Sequence, residues 1–367
     1  HINQRLWDLG YAQTRIRHRL SLSLTDSENR YTNAFQFFKD SLTIYEQPTQ
    51  IAELDLDIPF NDHLIGEAYF FKNKKINKPM DFSGKNYMSL VDQHNFLIQL
   101  IFPEISNSKS QLQLTESDYE FLLREMSMLP RESEFPKYGE DYYDSYCKFF
   151  IYGNSKERMP DHVKIFNKVG LAYGFLLDNA YIVDLENKIE FFLSAVVYSN
   201  SNGVLNDDSY DYDTLTIPFL ADVGRAIYEY ELQRDREFDP GLYTQIDRDG
   251  NNNPKFTNHT FGVRPDNYFY PASTIKLPVA ALALEKLNRI DLIEKDTYIN
   301  ILPGSDKLTG VTRDLSSGSG FASISHYIHK LFVVSDNDSF NRLYEFLGRD
   351  HINQRLWDLG YAQTRIR

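Results

Sequence analysis

The chain has 367 residues, 42% of them hydrophobic, which is enough to bury a large core and too apolar for a disordered segment. Its 39 basic and 52 acidic residues leave a formal charge of -13, which repels nucleic-acid phosphate and anionic lipid alike, so neither is an expected partner. The single cysteine, Cys147, excludes an intrachain disulfide and a cysteine-based metal cluster, and reads as a buried, inert thiol.

Residues 1–17, HINQRLWDLGYAQTRIR, recur unchanged at 351–367. Two undiverged copies at the extremes of a chain are not a solenoid, whose repeats stack on one another along the sequence. Joining Arg367 to His18 closes the sequence into a circle of 350 unique residues. A circular permutant cut from a tandem gene gives that overlap, and so does a sequence read past its own start. One helix site cannot hold both copies, so one is expected to be frayed, displaced or docked on a neighbour, which makes a domain-swapped homo-oligomer an expected assembly. No apolar run reaches the roughly 18 residues of a membrane span, and HINQRLWDLG lacks a signal peptide's apolar core, although a removed export signal would leave no trace.

In chain order, residues 85–160 are polar and aromatic and read as a mostly helical subdomain. Residues 168–184 and 189–200 are rich in β-branched and aromatic residues around a D-L-E-N turn and predict a hairpin. An amphipathic helix follows, with Phe219, Val223, Ile227 and Tyr230 at three- and four-residue spacing, and residues 243–249 and 256–264 suggest another strand pair. Residues 274–288 and 323–347 are helical by the same test, with Gly348 as stop signal. The pattern is α/β in the α+β sense, an antiparallel sheet flanked by helices plus a helical subdomain.

The chemistry-bearing signals cluster late in the chain. In Pro271-Ala272-Ser273-Thr274-Ile275-Lys276, the helical spacing lets Lys276 reach the hydroxyl of Ser273. A serine is a weak nucleophile until a base takes its proton, and a desolvated lysine can do so. S-x-x-K alone is weak, because the pair is common on solvated helix faces. Ser335-Asp336-Asn337 stands 62 residues after Ser273; it reads as a helix cap, except that it follows the apolar run LFVV.

Together S-x-x-K and S-D-N resemble the motifs of class A β-lactamases and related penicillin-binding proteins. The counterpart of that family's third motif, K-[ST]-G, is Lys168-Val169-Gly170, which precedes the other two here. Reading the circle from Tyr243 restores the family's order: YTQIDRDG, PASTIK, SDN, the 351–367 segment, HRLSLSLTDSENRYTN, KVG, a second strand and the closing helix. Residues 85–160 then read as an insertion and a first helix is missing. The implied organisation is a duplicate at 1–17, a helical subdomain with insertion at 18–165, an α/β sheet domain at 166–290 with its junction near 242–243, and a helical subdomain at 291–367.

The resemblance implies a β-lactamase- or transpeptidase-like fold and a serine hydrolase, acylated at Ser273 by a β-lactam or related amide or ester. Lys276 would be the general base, Ser335 would pass a proton to the leaving nitrogen with help from Lys168, and Asn337 would bind the substrate amide. Gly170 and Leu171 belong to the substrate-facing strand, the amides of Ser273 and Leu171 forming the oxyanion hole. A small molecule or peptide is the implied substrate, the periplasm or secretion the implied location, and neither cofactor nor metal is required.

Two departures limit the resemblance. The family's deacylating acid lies on the loop before R-x-T, but the stretch Thr14–Ser23 holds no carboxylate; Glu28 is the nearest. Without that base the acyl-enzyme persists, which favours the alternative of a slow-turnover penicillin-binding or sensor domain. Val169 also replaces a hydroxyl that would bind the substrate carboxylate. Other signals are weaker: His326-x-x-His329 lacks a third ligand, Asp247-Arg248-Asp249-Gly250 lacks the acids of a calcium loop, Lys307-Leu308-Thr309-Gly310 lies in a Gly/Ser-rich loop, and residues 206–213 read as a solvated acidic loop.

Overall fold

The computed structural model describes residues 18–54, 56, 62–105, 111–235, 256–264, 267–305 and 307–361. The expected strand 243–249, the calcium-like loop at 247–250 and the first copy of the repeat lie outside the described residues.

Helix α1 (Asp26–Asn29) is followed by strands β1 (Ala34–Lys39), β2 (Leu42–Gln47), β3 (Leu64–Ile65), β4 (Ala68–Phe71), β5 (Lys74–Ile76) and β6 (Met80–Asp81). Residues 34–81 are therefore strand-rich where a helical subdomain was expected, because β-branched and aromatic residues alternate there over short runs. Helices α2 (Leu90–Ile101) and α3 (Glu116–Ser127) follow, capped by Ser89 and Thr115. Beyond them residues 128–162 are mainly turns and 3₁₀ segments rather than helix, as Pro130, Pro136, Gly139, Gly153 and Pro160 would dictate.

The main sheet joins β7 (Val163–Ala172), β8 (Phe175–Asp184) and β9 (Ile189–Tyr198) in that order, all antiparallel. The span 168–184 is thus two strands rather than one: Tyr173 (φ 56) and Gly174 (φ 85) make a two-residue mirror-image turn, and the D-L-E-N turn closes the second hairpin. Every residue of β8 is buried. Leu176, Ala180 and Ile182 face Phe149, Phe150 and Leu220, while Tyr181 and Val183 join the core that contains Phe96 and Phe102.

After the short β10 (Val204–Leu205), helix α4 (Ile217–Gln233) lies on this sheet but turns a different face inward than its apolar stripe predicts. Leu220, Ala221 and Gly224 are buried, whereas Phe219, Ile227 and Tyr230 are exposed among the described residues. Gly224 decides the orientation: a Cβ there would meet the backbone nitrogen of Ile151 at 2.5 Å, so only glycine permits so close an approach.

Helix α5 (Lys276–Leu287) is buried almost all round, as an axial helix must be. Strand β11 (Tyr298–Leu302) pairs with β1, and the β2-β1-β11 sheet packs Phe35 and Phe37 against Phe346. The expected single helix 323–347 is two, α6 (Ile324–Val333) and α7 (Asn337–Leu347), broken at Ser335 with φ 57. Residues 256–264 carry no strand. This mixed α and antiparallel β architecture matches the expected fold class.

Helix α8 (Arg349–Asp358) carries the second copy of the repeat into the core, burying Ile352, Leu356 and Trp357, with Leu359 and Tyr361 beyond its end. Arg355 Nε donates to Glu285 Oε1 at 2.6 Å, and the Asp350 carboxylate accepts from the amides of Glu53 and Leu54. With this groove already filled, Leu356→Ala should cost about 2–5 kcal/mol, read from the urea midpoint, while Leu6→Ala should cost under about 0.5 kcal/mol. Equal losses would mean that the two copies share the groove.

Candidate active site

The site forms where three segments meet: the 3₁₀ turn Ala272–Ile275 leading into α5, the break between α6 and α7, and the middle of β7. The approach of β7 to the turn depends on Gly170. A Cβ there would lie 2.8 Å from Pro271 O and 2.9 Å from Ser273 N, closer than any real side chain comes. Gly170 pairs with Leu177, Val169 with Asp178 and Lys168 with Asn179, so Lys168 leaves the strand on the face opposite Val169 and Asp178.

Ser335 Oγ receives both lysines. Lys168 Nζ donates to it at 2.7 Å and also to Val169 O at 3.0 Å. Lys276 Nζ donates to the same hydroxyl at 3.3 Å, to Asn337 Oδ1 at 2.7 Å and to the backbone oxygen of Ser335. The expected pairing of Lys276 with the Ser273 hydroxyl is not among these bonds: the amine is committed to the S-D-N turn, while Ser273 stands half-buried three residues earlier. Such contacts commonly tighten only once a substrate is bound. The sequence readings for Ser273, Lys276, Lys168, Ser335 and Asn337 thus fall in one place, joined by Gly170 and by the exposed Leu171 at the strand end.

Burial governs the electrostatics. It pushes Lys276 well below the ordinary lysine pKa, the neighbouring Lys168 adding to the effect while Asp336 and Cys147 oppose it. Burial also lowers Lys168, to about 8, against the pull of Cys147 and Asp178. Neither amine has a carboxylate among its hydrogen-bond partners. A lysine that is neutral near physiological pH can accept a proton, and one that stays charged can supply one.

Two turns are held in the left-handed region by non-glycine residues, Ala272 (φ 48) and Ser335 (φ 57), each at a cost on the order of 1–2 kcal/mol. Asp336 caps α7 by accepting from the Ser339 amide at 2.7 Å, so the S-D-N segment is both a helix cap and part of the site.

The sequence reading missed Ser21. It lies in the stretch searched only for a carboxylate, also has a left-handed φ of 55, and accepts a 2.8 Å bond from Asn337 Nδ2. Its loop is fastened to α7 by Asn341, which accepts from the Leu20 amide at 2.8 Å and donates to the Leu20 carbonyl at 3.0 Å. The buried Arg19–Glu345 pair at 2.8 Å adds a second tie. Glu28 is elsewhere employed: it closes the capping box of α1 and bonds Lys307 at 2.6 Å, which pulls its pKa down to about 2. That pairing also disposes of Lys307 as a motif residue.

The two histidines diverge. His329 sits between Glu125 Oε2 at 2.7 Å and Ser133 Oγ at 2.8 Å, whereas His326 bonds Ser316 and faces Asp314. They share no common point, and the described residues hold no group of three or more His, Cys, Asp or Glu arranged for a metal ion. Cys147 is buried, and burial raises its pKa.

Residues 251–367, about a third of the chain, match a family described as "Beta-lactamase enzyme family". No curated protein and no solved structure matches the chain. The match spans Ser273, Lys276 and the S-D-N turn, but neither Lys168 nor Ser21.

Gly170→Ala tests the close approach on which the site rests. The added methyl meets the backbone of the 271–274 turn, so β7 and the turn must part; we expect about 1–3 kcal/mol of destabilisation by thermal unfolding and at least about a tenfold lower acylation rate. An unchanged unfolding temperature would contradict the contact.

Proposed function

We propose, for a chain whose residues 251–367 belong to the β-lactamase-like superfamily, a serine hydrolase that works through an acyl-enzyme, with Ser273 as nucleophile and a β-lactam or related amide or ester as substrate. The observation that carries this reading is the sharing of the Ser335 hydroxyl by two buried lysines beside the Ser273 turn.

In this mechanism neutral Lys276 takes the Ser273 hydroxyl proton as Oγ bonds to the substrate carbonyl carbon. The oxyanion faces the amides of Ser273 and Leu171. When the carbon–nitrogen bond breaks, the leaving nitrogen takes a proton from Ser335, whose hydroxyl is resupplied by charged Lys168. Asn337 holds the substrate amide. The three motifs then act in the permuted order inferred from the repeat, and the family's setting would be the periplasm or the cell exterior.

Ser21 favours a second reading, a slow-turnover penicillin-binding or sensor domain. The loop that supplies the family's deacylating acid offers the site a hydroxyl instead, so hydrolysis of the acyl-enzyme lacks a base. Intact-mass spectrometry with a fluorescent penicillin separates the readings. The wild-type adduct should decay within hours on the hydrolase reading and persist on the sensor reading; Ser273→Ala should gain none, and Ser21→Glu should shorten a persistent adduct's life at least about tenfold. An adduct on Ser273→Ala would overturn the nucleophile assignment.

The rate of adduct formation should also depend on pH. Lys276 must be neutral and Lys168 charged, so the rate should be highest between their two pKa values and fall as pH rises through about 8, where Lys168 loses its proton. A rate still climbing at pH 10, followed by stopped-flow fluorescence, would contradict that division of roles.

A further inference from the structure

Behind β7, on the face away from Ser335, lies a second buried charged layer. Asn167 Nδ2 donates to Asp178 Oδ1 at 2.8 Å and to Cys147 O at 2.9 Å, while its Oδ1 accepts from Lys148 Nζ at 2.7 Å. The other Asp178 oxygen accepts from the amides of Phe149 and Phe150, and Lys148 also donates to Met126 O at 2.7 Å. Asp178, Asn167 and Lys148 are all at most 3% exposed. Fixing one strand to one segment does not require two opposite charges, whose burial is costly. The layer brackets Lys168: Asn167 precedes it on β7, and Asp178 sits opposite Val169, which follows it.

We infer that Asp178, with Lys148 and the bridging Asn167, is the positioning element for Lys168, fixing the strand that carries it and setting through the sheet how firmly its amine holds a proton. The inference rests on the acyl-transfer reading for its catalytic meaning, though not for its test. Burial pushes the Asp178 carboxyl up, while Asn167, the amides of Phe149 and Phe150 and Lys148 favour its charged form; so held, it offers Lys168 the negative charge that its own hydrogen-bond partners lack, and Lys148 offers opposing positive charge. Cys147, beside Lys148, also acts on Lys168, and Lys276 from α5 is its neighbour; Asp336 of the S-D-N turn acts on Lys276, and Glu125 of α3, the helix packed on β7, is paired with His329 and Arg124. Burial and Lys168 both depress Lys148, to about 8, so the two lysines repel one another across the strand.

A sign reversal makes the inference testable. Asp178→Asn removes the attraction and Lys148→Met the repulsion, each with little change of shape. In full-length protein carrying ¹³C-labelled lysine, the Lys168 Cε resonance, assigned by its loss in Lys168→Arg, should titrate about one pH unit lower in Asp178→Asn and about one unit higher in Lys148→Met. The alkaline limb of acylation by the fluorescent penicillin should follow in the same directions. Mere loosening of the strand would move both variants the same way; that result, or an unmoved Lys168 titration in both, overturns the inference. Opposite shifts in a protein that penicillin fails to acylate would support the positioning role while removing the acyl-transfer reading.

Discussion

Two ammonium-bearing side chains converge on one hydroxyl, with no carboxylate bonded to either. Like charges held that closely and out of water cannot both persist, so the site must divide one proton's worth of charge between Lys168 and Lys276. Much else in the molecule serves that constraint. β7 must come near enough to the 271–274 turn for Lys168 to arrive, which requires a glycine at 170. The α6–α7 break must present Ser335 in a strained conformation. α5 must be sunk in the core for Lys276 to be stripped of water.

The loop 18–24 is a fourth support and the least conspicuous in sequence. A single amide, Asn341, satisfies both backbone groups of Leu20, so one side chain on α7 stands in for a strand partner. The Arg19–Glu345 pair is almost wholly buried, and Asn33 donates to the other oxygen of that carboxylate at 2.9 Å. Losing one member of such a set leaves a buried charge unmatched, which costs more than the pair itself contributes. The loop can therefore hold Ser21 against Asn337 although it contributes little apolar burial of its own.

The parts of this architecture that sequence made legible were those with a period or a fixed spacing. Strands 175–184 and 189–198, the helix after Ser273, and the three short motifs follow from local chemistry. What stayed hidden depends on partners distant in the chain. The stripe Phe219–Tyr230 has the right period, yet the buried face of α4 was chosen by Gly224 and its contact with Ile151. Apolar spacing runs through 323–347, and the cap signal of Ser335-Asp336-Asn337 within it marks where the helix breaks, at a left-handed Ser335 with Asp336 capping the second half. Asp178 sits within an apolar strand, FLLDNAYIVD, where a carboxylate looks misplaced until the amides of Phe149 and Phe150, from a segment of no evident pattern, are seen to bind it. Ser21 carried no signal, because one serine in HRLSLSLTDS resembles the others.

The docking of α8 has a kinetic side. The helix follows α7 after Gly348 alone, so its tether is as short as a tether can be. Short linkers raise the local concentration of their cargo to roughly millimolar or beyond. A second molecule offering the same 17 letters gains nothing from its contacts, since they are identical, and competes only through its bulk concentration. Below about millimolar protein that competition favours the tethered copy. Exchange between molecules is then a property of crowded, concentrated states.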